Sequence, residues 1–229
     1  MIVVHHLNNS RSQRVLWLLE ELGLAYELKR YQRDAKTMLA PASLREVHPL
    51  GKSPVITDGS LTLAESGAIL QYLVERYGER TAAGGGRLMP PAGSAEWLRC
   101  VYWMHFAEGS AMPPLLMKLV LDRMESAPMP FFARPIARAL AGKVRDGFVL
   151  PNIARNLDYM ESEIGRAGWF AGGEFSAADI QMSFPLEAAA ARGGLDARRP
   201  RLMDWLARIH ARPAYKRALE RGGEYSILT

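Results

Sequence analysis

Two short segments of the chain place hydroxyl and charged side chains beside the start of a helix. The first contains Lys52 and the dipeptide Ser53-Pro54, and the second contains Glu65 and Ser66 before a run with helical spacing. The first N–H groups of a helix lack partners within it and therefore bind anions, whereas Glu65 would attract an ammonium group. Together the segments predict a site for a small zwitterionic peptide with carboxylates at both ends.

These residues also have structural interpretations that the sequence leaves open. Ser66 is a natural N-cap, because a serine before a periodic apolar run often accepts a hydrogen bond from the first helical turn. The residues between the two segments have hairpin turn chemistry. At such a strand edge the peptide bond before Pro54 can be cis.

A second pair of hydroxyls lies where the first predicted strand passes into the first predicted helix. Ser10 and Ser12 precede the apolar run that begins at Val15. A hydroxyl near the positive end of a helix dipole can donate a hydrogen bond to an anion, including a thiolate. Either serine can instead be the helix N-cap, and the two roles can be divided between them.

Other candidate residues favour structural roles. Ser176 and Asp179 fit the short-acid version of a capping box. Cys100 is the only cysteine, and its aromatic and apolar neighbours predict a buried, unreactive thiol. The histidines have no metal-ligand spacing, so no metal site is predicted.

The elements that must position these residues divide the chain into two parts. We predict an α/β domain over residues 1–80, a Gly/Pro-rich linker at 81–93 and an all-helical domain over 94–229. The elements of the first part are a strand at 2–6, a helix at 12–22, a strand at 25–31, an irregular segment at 34–48, a hairpin at 54–63 and a helix at 66–77. The predicted helices of the second part are 94–125, disturbed at Pro113-Pro114, then 143–164, 176–192, 201–211 and 215–221, with a connection at 127–135.

Composition excludes several classes of protein. With 48% apolar and 23% charged residues and no apolar run of 18, the chain is predicted to be globular and without a membrane span. The single cysteine and the lack of a signal-peptide pattern favour the cytoplasm. The net charge of +5 comes largely from C-terminal arginines without interleaved aromatic residues. We therefore favour solvated helix faces over nucleic-acid binding.

Four segments, taken in order, resemble the cytosolic glutathione S-transferase family over nearly the whole chain. The segments are residues 10–16, 48–55, 63–69 and 175–180. The first is most similar to serine-type bacterial and fungal members. The resemblance implies a thioredoxin-like N-terminal domain, an all-helical C-terminal domain, a homodimer, and glutathione as co-substrate without a cofactor.

The resemblance also implies roles for the residues of the two opening segments. Glu65 and Ser66 match the pair that holds the γ-glutamyl end of glutathione. Ser53 matches the residue before the cis-proline, which is Pro54 here. In the family, the backbone of that preceding residue pairs with the cysteinyl part of glutathione. Lys52 matches a cation near the glycyl carboxylate.

The sulfur of glutathione is expected to lie near Ser10, which matches the serine that supports the thiolate, with Ser12 as its rival. The expected function is conjugation of this thiolate to small hydrophobic electrophiles. A glutathione-dependent peroxidase or thiol reductase, and a non-catalytic glutathione-binding or regulatory protein, are the alternatives. The second substrate is expected between the domains, where the candidate residues, which could equally be core or dimer-interface residues, are Trp103, Met104, Glu108 and Met112.

Overall fold

The computed structural model describes residues 1–78, 87–223 and 225–227. Part of the predicted linker, residues 81–86, lies outside the described residues, as do residues 79–80, 224 and 228–229 of the predicted domains. The predicted domain limits therefore stay predictions. The α/β part is nevertheless followed by helices alone within the described ranges.

The N-terminal part is a four-stranded mixed sheet covered by helices. Strand order is β2-β1-β3-β4; β1 runs parallel to β2 and antiparallel to β3, and β3 and β4 form the predicted hairpin. Helix α1 makes the crossover that two parallel strands require. The elements are β1 (Ile2–Leu7), α1 (Ser12–Glu21), β2 (Tyr26–Tyr31), α2 (Ser43–Val47), β3 (Val55–Asp58), β4 (Leu61–Ala64) and α3 (Ser66–Tyr77).

The C-terminal part consists of helices, several of which meet at π-helical turns. Its helices are α4 (Ala95–Phe106), α5 (Met112–Ser126), α6 (Arg134–Val144), α7 (Leu150–Ala167), α8 (Ala177–Ala188), α9 (Pro200–Ala211) and α10 (Pro213–Gly222). The π-helical turns are Ala107–Ala111, Arg145–Val149 and Ala189–Gly193. Together the two parts confirm the predicted thioredoxin-like plus all-helical architecture.

Three local predictions were wrong. Helix α2 lies in the segment predicted to be irregular, because five residues with Leu44 alone buried give no helical periodicity. Helix α6 was missed over most of its length, since only Ala141 is buried. The long first helix is interrupted at Ala107–Ala111 rather than at Pro113-Pro114; these prolines lie in the first turn of α5, where a missing N–H costs little.

A shared core joins the two parts. Trp17 of α1 is buried in the same cluster as Trp103 and Trp205 of the helical part. Every residue of α8 is buried, and α8 packs against α1, α3 and α4. Cys100 is also buried, as predicted, and burial raises the pKa of its thiol to about 11. Of the helices in the described ranges, none combines the length and the apolar character needed to cross a bilayer.

Candidate active site

The end of β1 and the start of α1 bring two serines and a histidine together. Ser10 Oγ lies 2.7 Å from Ser12 Oγ, which in turn lies 2.8 Å from His6 Nδ1. All three residues are buried. Neither serine occupies the N-cap position, which belongs to Arg11, although Ser10 Oγ accepts a hydrogen bond from Ser12 N at 3.3 Å.

The histidine of this group is neutral at physiological pH. Burial, together with the nearby charge of Arg30, lowers the pKa of His6 to about 4, although a hydrogen bond to the backbone of Gly222 opposes the shift. A neutral ring carries one N–H, so one of its nitrogens is an acceptor. The sulfur-binding candidates Ser10 and Ser12 are therefore held by an uncharged network.

The turn before β3 lies against the same end of β1. Ser53 Oγ donates to the carbonyl of His5 at 3.0 Å and accepts from Leu7 N at 3.3 Å. Ser10 Oγ lies 3.5 Å from Ser53 Oγ, and the Ser53-Pro54 peptide bond is cis. Lys52 is exposed beside this turn. The structure thus brings Ser10, Ser12, Ser53 and Pro54 together.

Ser66 is the first residue of α3 and not its N-cap, so the N-cap interpretation of this residue was wrong. Glu65 occupies the cap position with φ 72°, a conformation that costs a non-glycine residue energy and is often found at binding sites. The Ser66 hydroxyl accepts hydrogen bonds from Arg14 Nη2 at 3.0 Å and Gln181 Nε2 at 3.2 Å. Ser66 is buried, whereas Glu65 is exposed beside it.

Arg14 connects this end of the site to the helical part. Its guanidinium donates to the carbonyl of Gln181 at 2.6 Å and to Glu108 at 2.5 Å, and Glu108 also accepts from Arg11 Nε. Burial raises the pKa of Glu108, but Arg14 and Arg11 outweigh it and the pKa is lowered. Glu108 is therefore ionised and offsets the charge of a fully buried arginine.

The residues predicted for the second substrate lie in two different environments. Glu108 is one-third exposed and accompanies Arg11, whose guanidinium carbon lies 5.1 Å from the centre of the Phe184 ring. Trp103 is buried against Phe106, Phe170 and Tyr159, and Met104 and Met112 are buried as well. The structure therefore gives three of these residues packing roles, and their contact with a second substrate stays a prediction.

The predicted capping box is formed at the start of α8. Asp179 Oδ2 accepts from Ser176 N at 2.9 Å and from Ser176 Oγ at 3.0 Å, while Oδ1 accepts from Phe170 N and Trp205 Nε1. Burial raises the pKa of Asp179, and these hydrogen bonds oppose the shift. The box fixes the first turn of α8, which carries Gln181.

Sequence reasoning missed three residues that the structure brings to the site. Arg14 and Gln181 each interrupt a buried helical face, and His6 is the next-to-last residue of β1. A charged or amide side chain within an apolar face was the available signal, because burial requires such a group to find partners. No cluster suited to a metal ion occurs among the residues that the structure describes.

Family models and known proteins match this arrangement. Residues 1–75 match the model "Glutathione S-transferase, N-terminal domain" and residues 121–208 match "Glutathione S-transferase, C-terminal domain". Glutathione S-transferase 3 of Schizosaccharomyces pombe is 37% identical over 96% of this chain and 88% of its own length. Glutathione S-transferase 1 of Saccharomyces cerevisiae is 34% identical over 96% of this chain and 95% of its own. A crystal structure of a glutathione S-transferase from Actinobacillus pleuropneumoniae is 31% identical with a TM-score of 0.74, covering 99% of this chain and 95% of that one.

Proposed function

The chain belongs to the glutathione S-transferase family, and from this premise we propose that the residues gathered at the starts of α1 and α3 form its glutathione site. The protein is a glutathione transferase, and the peroxidase and the non-catalytic binding protein are not favoured. One observation carries the proposal: the hydroxyls of Ser10, Ser12 and Ser53 converge beside a cis peptide bond. The start of α3 supplies a second group of donors at Ser66.

The γ-glutamyl end of glutathione is assigned to Glu65 and Ser66. The Ser66 hydroxyl and the free N–H groups of the first turn of α3 suit the α-carboxylate. The exposed carboxylate of Glu65 suits the neighbouring ammonium group. Buried Arg14, 3.0 Å from Ser66 Oγ, adds positive charge behind the carboxylate position.

The rest of glutathione is assigned to the turn before β3. The backbone of Ser53 next to cis-Pro54 pairs with the cysteinyl part, because the Ser53 side chain is already used to fix the turn to β1. The exposed ammonium of Lys52 accompanies the glycyl carboxylate.

The sulfur is assigned to Ser10 because Ser12 is shared between Ser10 and His6. A free thiol has a pKa of about 8.5, and lowering it to about 6.5 requires roughly 2.7 kcal/mol of preference for the thiolate. A hydrogen bond from a hydroxyl to a charged acceptor contributes about 1.5–3 kcal/mol, and a helix N-terminus adds about 0.3–1 kcal/mol. Ser10 at the start of α1 is therefore sufficient without a metal.

We assign the second substrate, a small hydrophobic electrophile, to the surface beside Glu108, whose side chain is one-third exposed. We also propose a homodimer, supported by Leu98 and Tyr102 of α4, which are 63% and 45% exposed. Sedimentation analysis at micromolar concentration should give twice the mass of one chain; a monomer would contradict the dimer.

A cytoplasmic location is supported by the single cysteine.

Retention on immobilised glutathione tests binding, and elution with free glutathione is the control. The retained protein is then assayed with chlorodinitrobenzene and, in parallel, with cumene hydroperoxide. We expect conjugation to exceed peroxide reduction. Retention without turnover of either substrate would favour a binding protein, and turnover of the peroxide alone would favour a peroxidase.

A further inference from the structure

The Ser66 hydroxyl is fixed as a donor by two neighbours that both donate to it. Arg14 Nη2 and Gln181 Nε2 approach Ser66 Oγ at 3.0 Å and 3.2 Å. A hydroxyl oxygen has two lone pairs, so two incoming hydrogen bonds use both. In the described part of the chain, no group accepts the Ser66 proton, which is therefore free for a ligand.

Gln181 reaches this position from the other half of the molecule. It lies in α8, is fully buried, and its Nε2 lies over the first turn of α3, where a Cβ atom on Gly67 would be 3.5 Å away. Its Oε1 is buried without a hydrogen-bond partner in the described structure. The amide thus leaves an acceptor unsatisfied while directing its donor at Ser66.

The orientation of this amide decides what Ser66 can bind. With Oε1 towards Ser66, the serine would donate to Gln181 and could offer a carboxylate only its lone pairs. With Nε2 towards Ser66, as in this structure, both lone pairs of the hydroxyl are occupied and its proton is left for a ligand. The first N–H groups of α3 lie beside it and also suit an anion.

We propose that Gln181 is a positioning residue for glutathione, which directs the Ser66 proton at the α-carboxylate of the γ-glutamyl group. This inference rests on the proposed function. Gln181 does not touch the sulfur, so its effect belongs to binding and not to activation of the thiol.

The test measures dissociation constants by calorimetry for two ligands: glutathione and 4-aminobutyryl-cysteinyl-glycine, which lacks the α-carboxylate. Gln181→Leu should weaken glutathione binding roughly 3- to 10-fold, the range of one neutral hydrogen bond, and leave the analogue unchanged. Gln181→Glu replaces the donor by an acceptor and should weaken glutathione binding more than Gln181→Leu does. KM for glutathione should rise while kcat and the pKa of the bound thiol stay constant.

Ser183→Ala is the matched control, because Ser183 is buried in the same helix and, among the residues that the structure describes, its hydroxyl bonds only to the carbonyl of Ile180. It should leave both dissociation constants unchanged. Equal losses for the two ligands, or equal effects of Gln181→Leu and Ser183→Ala, would overturn the inference. If Gln181→Leu does not fold, Gln181→Met takes its place with the same expected values. Wild-type protein that binds neither ligand would instead refute the proposed function.

Discussion

The two ends of the proposed glutathione site are built by different parts of the molecule. At the sulfur end, His6 comes from β1, Ser12 from the start of α1, and Ser10 from the turn that joins them. At the γ-glutamyl end, Ser66 depends on Arg14 of α1 and Gln181 of α8, residues from both halves. The sulfur end therefore requires local folding, whereas the γ-glutamyl end also requires the two halves to be packed together.

The largest effect should follow from Asp179→Ala, which loosens the first turn of α8. The change leaves the buried donors of Phe170, Ser176 and Trp205 without an acceptor, at a cost of about 3–5 kcal/mol of unfolding free energy. Urea denaturation measures the loss. Asp204→Ala is the control, because the Asp204 carboxylate is 68% exposed and pairs only at the surface. A loss below about 1 kcal/mol would show that α8 does not depend on the box.

Arg14→Met should weaken the γ-glutamyl end of the site and leave the sulfur end unchanged. The change removes the hydrogen-bond donors to Ser66, Gln181 and Glu108. It should lower the free energy of unfolding by about 2–3 kcal/mol. The loss is smaller than for a buried ion pair that loses its only cation, because Arg11 still pairs with Glu108. Glutathione affinity should fall by more than tenfold. The pKa of the bound thiol should stay constant, as followed by thiolate absorbance against pH. A raised thiol pKa would mean that the two ends are coupled.

Ser10→Ala should impair the sulfur end of the site and leave the γ-glutamyl end unchanged. Loss of one hydrogen bond to a charged sulfur, about 1.5–3 kcal/mol, corresponds to roughly 10- to 150-fold in kcat/KM and raises the pKa of the bound thiol by about 1–2 units. The dissociation constant of S-methylglutathione, which cannot ionise, should hardly change. Ser12→Ala serves as the comparison. An active Ser10→Ala together with an inactive Ser12→Ala would transfer the role to Ser12.

The smallest effect concerns the pH dependence of the sulfur end. Because the pKa of His6 is about 4 in the folded protein and about 6.5 when unfolded, only the unfolded chain takes up a proton as the pH falls from 6.5 to 5. The contribution of His6 to stability is complete above pH 6.5, and roughly 2 kcal/mol of it should be lost by pH 5. The total fall in unfolding free energy between neutral pH and pH 5 should be smaller by this amount in His6→Asn, so the slope against pH should be shallower. An unchanged slope would mean that His6 does not titrate on unfolding.

Local patterns were sufficient to place Ser10 and Ser12 close to the start of α1 and to predict the start of α3, but they missed His6. Helix α3 runs from Ser66 to Tyr77, as its periodicity predicts, and the capping box was readable from the spacing of Ser176 and Asp179. Hydroxyls close to a helix start are detectable because capping, turn and strand signals act over a few residues.

The partners of Ser66 were not predictable in this way. Arg14 is 52 positions away from Ser66 along the chain and Gln181 is 115. No periodicity links such positions, and only the packing of α8 against α1 and α3 brings them together. Helix α6 was missed because its large apolar residues are exposed. It therefore lacks the buried apolar face from which a helix is predicted.

The isolation of Cys100 has a practical consequence for the chemistry of the complex. The chain contains no other cysteine, and this one is buried with a pKa of about 11, so it carries almost no thiolate at neutral pH. Glutathione therefore contributes the reactive sulfur, and the protein itself does not react with mild alkylating or thiol-titrating reagents. A spectroscopic thiolate signal from the complex can thus be assigned to the ligand without removing a residue from the chain.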